Sequence, residues 1–368
     1  MGVTLEDRIR GSVYAQALGD ALGAPFEFAE PDAVEKKTGE KWIDDLHAFK
    51  GHVGPHGVWR GGTPAGTGTD DVRYNWLFME LAIELGWGPD GREVARRFLD
   101  VFERPGDFFA GYDELARGQF EMWEGVSRGY LGDVSPRYPG VSAEALATRS
   151  VGLNYPTMAG LLALPSLGLL FAGDAEGAYR AAYGAAFFDV GYGREATALL
   201  AAGQALALEG MEAQALVDEL LALDPLCLGG YFGGPFIAEQ MPRLLAKARG
   251  KQRPELAELL ARELRYFSVF DPYRALAIAC AALLAHPADP WTALQIAANQ
   301  GDLDGDGRWR RYADIDCYAG IAGALVGAQC GIGALPAARV EQVLAANRAV
   351  YGCDLEQTVA RFAALARD

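Results

Sequence analysis

The chain has 368 residues, 51% of them hydrophobic and 22% charged, which is ample for a well-buried core. Its formal net charge of −16 argues against nonspecific affinity for nucleic acid or anionic lipid, because both are polyanions.

Helical signals begin at once. In "TLEDRIRGSVYAQALGDALG" (4–23), Thr4 and Asp7 pair as a capping box, and Ile9, Val13, Ala17, Leu18, Ala21 and Leu22 repeat at helical spacing until Gly23 and Pro25 stop the run. The N-terminus lacks a basic stretch followed by an apolar one, so no secretory signal is expected. Further helices are expected at about 72–86, 92–102, 143–150, 157–171, 174–186, 194–209, 212–222, 236–248, 254–266, 272–285, 290–299, 316–330 and 337–349. The most apolar run, 158–172, is shorter than the roughly 20 residues that span a bilayer and contains Pro165, so it reads as a buried helix. Asp271-Pro272 and Asp289-Pro290 each read as an N-cap followed by proline at the first helical position. "AGIAGALVGA" (319–328) carries Gly320, Gly323 and Gly327, which would be costly in an exposed helix and suit close helix packing. The whole reads as one all-α globular domain over residues 1–368. Five scattered cysteines without CxxC spacing suggest reduced thiols and a cytoplasmic setting.

Two acidic helix starts carry the chemistry. In "GTGTDDVRY" (66–74), Thr69 reads as an N-cap, with Asp70 and Asp71 in the first turn, where free N–H groups favour negative charge by roughly 0.3–1 kcal/mol each. In "ADIDCYAGIAGALVGA" (313–328), Asp314 and Asp316 again open a small-residue helix. Four carboxylates gathered face to face repel one another unless a hard divalent cation such as Mg²⁺ sits among them, and two ions about 4 Å apart could share them and leave positions for substrate hydroxyls.

These stretches, with "GSVYAQALGDALGAPFEF" (11–28) and "NYPTM" (154–158), resemble the ADP-ribosylglycohydrolases in order and spacing over most of the chain. The resemblance implies an all-α hydrolase with a two-ion magnesium centre, Mn²⁺ being an alternative, that binds the hydroxyls of a terminal ribose. It implies Thr69, Asp70, Asp71, Asp314 and Asp316 as ligands. Cys317 stands where the family usually has a last hydroxyl, and thiol sulfur is a poor Mg²⁺ ligand. The resemblance also places the catalytic glutamate at Glu27, with Asp70 and Asp316 beside it in the chemistry. Flanked by Phe26 and Phe28, Glu27 suits acid/base work at a glycosidic bond. Asn154, Tyr155, Asp189, Gly191 and Tyr192 are the expected substrate contacts. Tyr155, Pro156 and Ala159 replace a glycine, its neighbour and an arginine of the family's Asn-Gly-x-x-Met-Arg stretch, and Phe188-Asp189 stands where many members have Thr-His.

Other features read more plainly. "GDLDGDG" (301–307) has the opening of a calcium loop but Ala313 at the twelfth position, and is expected to be a solvated insertion. His47, His52 and His56 are expected in a surface loop, and His286 at a helix end. "LGGYFGGPF" (228–236) reads equally as a mobile lip, with Tyr231 and Phe232 stacking on a base or sugar, or as a plain connection; Trp59 shares that ambiguity. Three functions remain: an Mg²⁺-dependent glycosidase acting on a small ADP-ribosyl or related ribosyl compound, the same scaffold hydrolysing another pentoside or nucleoside, and a binding or structural protein that has lost catalysis.

Overall fold

The computed structural model describes residues 2–50, 53–149, 151, 154–228 and 235–366. Seventeen α-helices dominate these residues, alongside short 3₁₀ turns and a single two-stranded hairpin. Apolar side chains from Ile9 to Ala363 merge into one continuous core.

The first helix, Leu5–Gly23, starts on the expected capping box: the Asp7 N–H donates to Thr4 Oγ1 (3.1 Å) and the Thr4 N–H to Asp7 Oδ2 (3.0 Å). It is buried nearly all round because it pairs antiparallel with the helix Ile315–Cys330. Their backbones touch. A Cβ at Gly323 would lie 2.2 Å from the Ala15 carbonyl oxygen, and one at Gly23 would lie 2.3 Å from the Asp316 nitrogen. Any side chain there would drive the helices apart, at about 1–3 kcal/mol. The small-residue run therefore brings the C-terminal end of one helix against the N-terminal end of the other, and both ends carry acids.

Asp271 and Asp289 cap their helices as expected, Asp271 accepting from the N–H groups of Tyr273 and Arg274 and Asp289 from that of Thr292. His286 ends the helix Pro272–Ala285. All five cysteines are free. Among the described residues no helix is long and apolar enough to cross a membrane.

Several elements depart from the sequence reading. The run 157–171 is not one helix but Ala159–Ala163 followed by a 3₁₀ turn, Leu167–Leu170, because Pro165 lacks an N–H and disfavours helical geometry at Leu164. Helices Pro31–Thr38, Asp113–Leu131 and Leu355–Leu365 arise where none was expected. In Asp113–Leu131 the glycines that lower its propensity admit neighbours: Gly125 lies against the Tyr138 ring and Gly129 against Ala147. Finally, 301–307 is exposed over 305–307, as expected of a solvated insertion, but forms an ordered hairpin. Gly301–Leu303 pairs antiparallel with Trp309–Tyr312, and Asp304 Oδ1 closes the turn by accepting the N–H groups of Asp306 (3.0 Å) and Arg308 (2.9 Å).

Candidate active site

The hairpin's second strand runs straight into the acidic centre. The Tyr312 N–H donates to the Ala29 carbonyl (2.9 Å) and the Phe28 N–H to that of Ala313 (3.4 Å). This clamp sets Glu27 beside Asp314. Phe28 takes a left-handed φ of 54° in the process, a strained conformation of the kind that gathers at functional sites.

Asp70 and Asp71 arrive on the helix Asp70–Leu85. Thr69 sits at its N-cap position, yet its hydroxyl does not cap. It lies 3.0 Å from Asp20 Oδ1 and 3.3 Å from Asp316 Oδ2. Capping falls instead to Asp20, whose oxygens accept the N–H groups of Thr69 (2.9 Å) and Val72 (3.1 Å). Asp20 was missed in the sequence, although an acid inside the apolar run "ALGDALG" (17–23) was the available signal.

The electrostatics are unfavourable as they stand. Burial, then the charges of neighbouring acids, pushes the carboxyls of Glu27, Asp71 and Asp314 well above their usual range. Asp316 is raised too, chiefly by burial, with Asp70 adding to it. Asp71 Oδ2 and Asp316 Oδ1 are buried without a hydrogen-bond partner, a cost of about 1–3 kcal/mol each or more when charged. A hard cation would offset both penalties, and the oxygen-rich donor set fits one. Asp314, Asp316 and Cys317 can bring one ligand atom each within 4.8 Å of one another. The Cys317 sulfur also lies 3.7 Å from Asp71 Oδ1. Burial, then the charges of the surrounding acids, raises the pKa of that thiol.

His56 is exposed on a loop, as expected, and that loop reaches the site. Its Nδ1 lies 2.9 Å from Asp70 Oδ2, and its carbonyl accepts the Asp70 N–H (3.0 Å). Buried Arg73 fixes that loop by donating to the carbonyls of Pro55 (2.9 Å) and Gly57 (3.0 Å), while its guanidinium stacks 4.1 Å from the Trp59 ring. Trp59 is therefore packing, not a substrate platform. His47 meets Phe26 edge-on; His52, Tyr231 and Phe232 lie outside the described residues.

A cavity of about 550 Å³ opens above the acids, with Glu27, Asp70, Asp314, Asp316 and Cys317 in its lining and Tyr155 at its edge. Thr69 and Asp71 are buried and absent from that lining. Asn154, exposed with a left-handed φ of 68°, precedes Tyr155. Asp189, Gly191 and Tyr192 do not line the cavity; they brace the loop that does. Asp189 Oδ1 accepts the N–H groups of Thr157 (3.0 Å) and Val190 (2.9 Å). The Tyr192 hydroxyl donates to Asp271 Oδ2 (2.8 Å), the same oxygen that Tyr155 reaches at 3.3 Å. Gly191 makes the turn into the helix Tyr192–Leu208 with a φ of 53°.

No curated protein matches the chain. Among solved structures, one titled "ADP-ribosylglycohydrolase-related protein complex" is similar, with 22% identity, a TM-score of 0.58, and coverage of 99% of this chain and 98% of that one. At that identity the likeness speaks for the fold alone. The family model described as ADP-ribosylglycohydrolase matches residues 1–368, end to end across both acidic helix starts and the Glu27 clamp, and the chain belongs to the ADP-ribosylglycohydrolase family.

Proposed function

We propose that this protein is a Mg²⁺-dependent glycohydrolase that cleaves the glycosidic bond of a ribosyl compound. Membership of the family supports hydrolysis of ADP-ribosyl-type glycosides, and the observation that carries the reading is the meeting of Glu27 with Asp70, Asp314 and Asp316 beneath one cavity. Asp70, Asp71, Asp314, Asp316 and Thr69 are the residues that would hold one or two Mg²⁺ ions, with Mn²⁺ as a substitute, and Cys317 would contribute through its hydrogen bond to Asp71. When bound, the ions neutralise the carboxylates and fix the two vicinal hydroxyls of the ribose.

The residues do the rest. Glu27, raised in pKa by burial and neighbouring acids and clamped by the backbone on either side, passes a proton between water and the leaving atom. The water oxygen bonds to the anomeric carbon, the glycosidic bond breaks with its electron pair going to the aglycone, and the water's proton ends on that leaving group. His56 keeps Asp70 oriented. The free thiols are in keeping with a reducing, cytoplasmic setting.

The test is sugar release from a panel of ribosyl glycosides, with Mg²⁺ and with EDTA. Release that EDTA abolishes is expected. No turnover of any ribosyl compound, despite bound metal, would leave the reading as a binding protein.

A further inference from the structure

The walls of the cavity point to a narrower ligand class than its floor. Above the acids stand Trp123, Met158 and Leu162, and the rim is formed by Met122, Tyr155 and Phe270. The three rim residues are 47%, 43% and 47% exposed, so apolar surface faces solvent beside the acidic floor. Among the described residues no lysine or arginine lines the cavity. The one basic side chain in the lining, His56, is engaged by Asp70.

A diphosphate in this cavity would meet hydrocarbon around it, with no guanidinium or ammonium in the lining to pair with it. A proline at 156 also removes an N–H from the adjoining loop. We infer that the preferred substrate is a riboside whose diol faces the acidic floor and whose remaining portion is uncharged and apolar or aromatic, seated against Trp123 and the Met122, Tyr155 and Phe270 rim. Aromatic and thioether side chains make favourable contact with such a group and none with a dianion. This rests on the metal-dependent riboside reading above and specifies its substrate.

Calorimetry on the full chain with Mg²⁺ tests it, using adenosine and phenyl riboside as uncharged probes and ADP-ribose as the charged one. The uncharged probes should bind at least about tenfold more tightly than ADP-ribose, the order expected for a charge set against apolar walls without a partner. Met122→Arg, at an exposed position on the helix Asp113–Leu131, should shift the affinity ratio about tenfold toward ADP-ribose. Tighter binding of ADP-ribose by the native protein, with Met122→Arg leaving the ratio unmoved, overturns this inference while the riboside reading stands. Binding of none of the three probes overturns the riboside reading and this inference with it.

Discussion

Two acidic clusters in this chain invite a cation by their spacing, and they end in opposite states. In the hairpin, Asp302 pairs with Arg311 (3.0 Å) and Asp304 accepts two backbone N–H groups; in the centre, Asp71 and Asp316 each keep a buried oxygen with no donor. The difference lies in the supply of hydrogen-bond donors, not in the number of acids. A carboxylate answered by N–H groups is a turn residue, whereas one left unanswered in the interior is held there at a cost that a ligand must offset.

Substitutions should separate the clusters by the sign of their effects. The largest change is expected from Glu27→Gln, which keeps the shape and removes the titrating proton: kcat should fall about 10²–10⁴-fold with Mg²⁺ affinity, read by calorimetry, largely kept. Loss of metal binding instead would make Glu27 a ligand. Next, Asp316→Asn should weaken Mg²⁺ binding by at least about tenfold, yet raise the melting temperature of the metal-free protein because one repelling charge is gone. A metal-free variant less stable than wild type would show that Asp316 supports the fold.

Asp189 tests the intermediate case, a buried acid with donors. Burial raises its carboxyl to about 7 from 3.8 against the opposing bonds from Thr157 and Val190. The folded chain thus holds this proton more tightly than the unfolded one. The resulting stability is complete below the unfolded value and is lost as pH rises through about 7. Asp189→Asn keeps an acceptor for both N–H groups, so it should flatten the decline and gain at least about 1 kcal/mol at pH 8 in denaturant titrations; an unchanged pH profile would mean the donors fully compensate burial. The smallest effect belongs to the hairpin. Asp304→Ala should cost about 0.5–1 kcal/mol of stability and leave the Mg²⁺ dependence of turnover untouched, an outcome that a shifted Mg²⁺ requirement would contradict.

How much of this was legible depended on the range of the interaction. The capping box at Thr4, the Asp-Pro helix starts and the packing role of Gly323 are local or compositional, and they could be read from residues a few positions apart. Helix Asp113–Leu131 could not, because its glycines look like breakers until Tyr138 and Ala147 are seen filling the space they leave. Within the site, the acids at 70, 71, 314 and 316 were visible as helix starts, and Glu27 through the family resemblance. Asp20 and His56 were overlooked, since each acts through a partner distant in sequence: Asp20 on the N–H of Thr69, His56 on Asp70.

The sequence by itself determined the all-α class, the acids at the two helix starts and the family, since periodicity, capping and motif order are properties of neighbours along the chain. Only the tertiary structure decided which acids would be answered. Donor supply is set by what packs nearby. The antiparallel glycine-lined helix pair buries Asp316 against Asp20 and Thr69, while the hairpin folds Asp304 back onto its own backbone. That same packing left the cavity with an acidic floor and uncharged walls, because the side chains that surround it come from segments spread from Glu27 to Cys317, whose meeting no local pattern encodes.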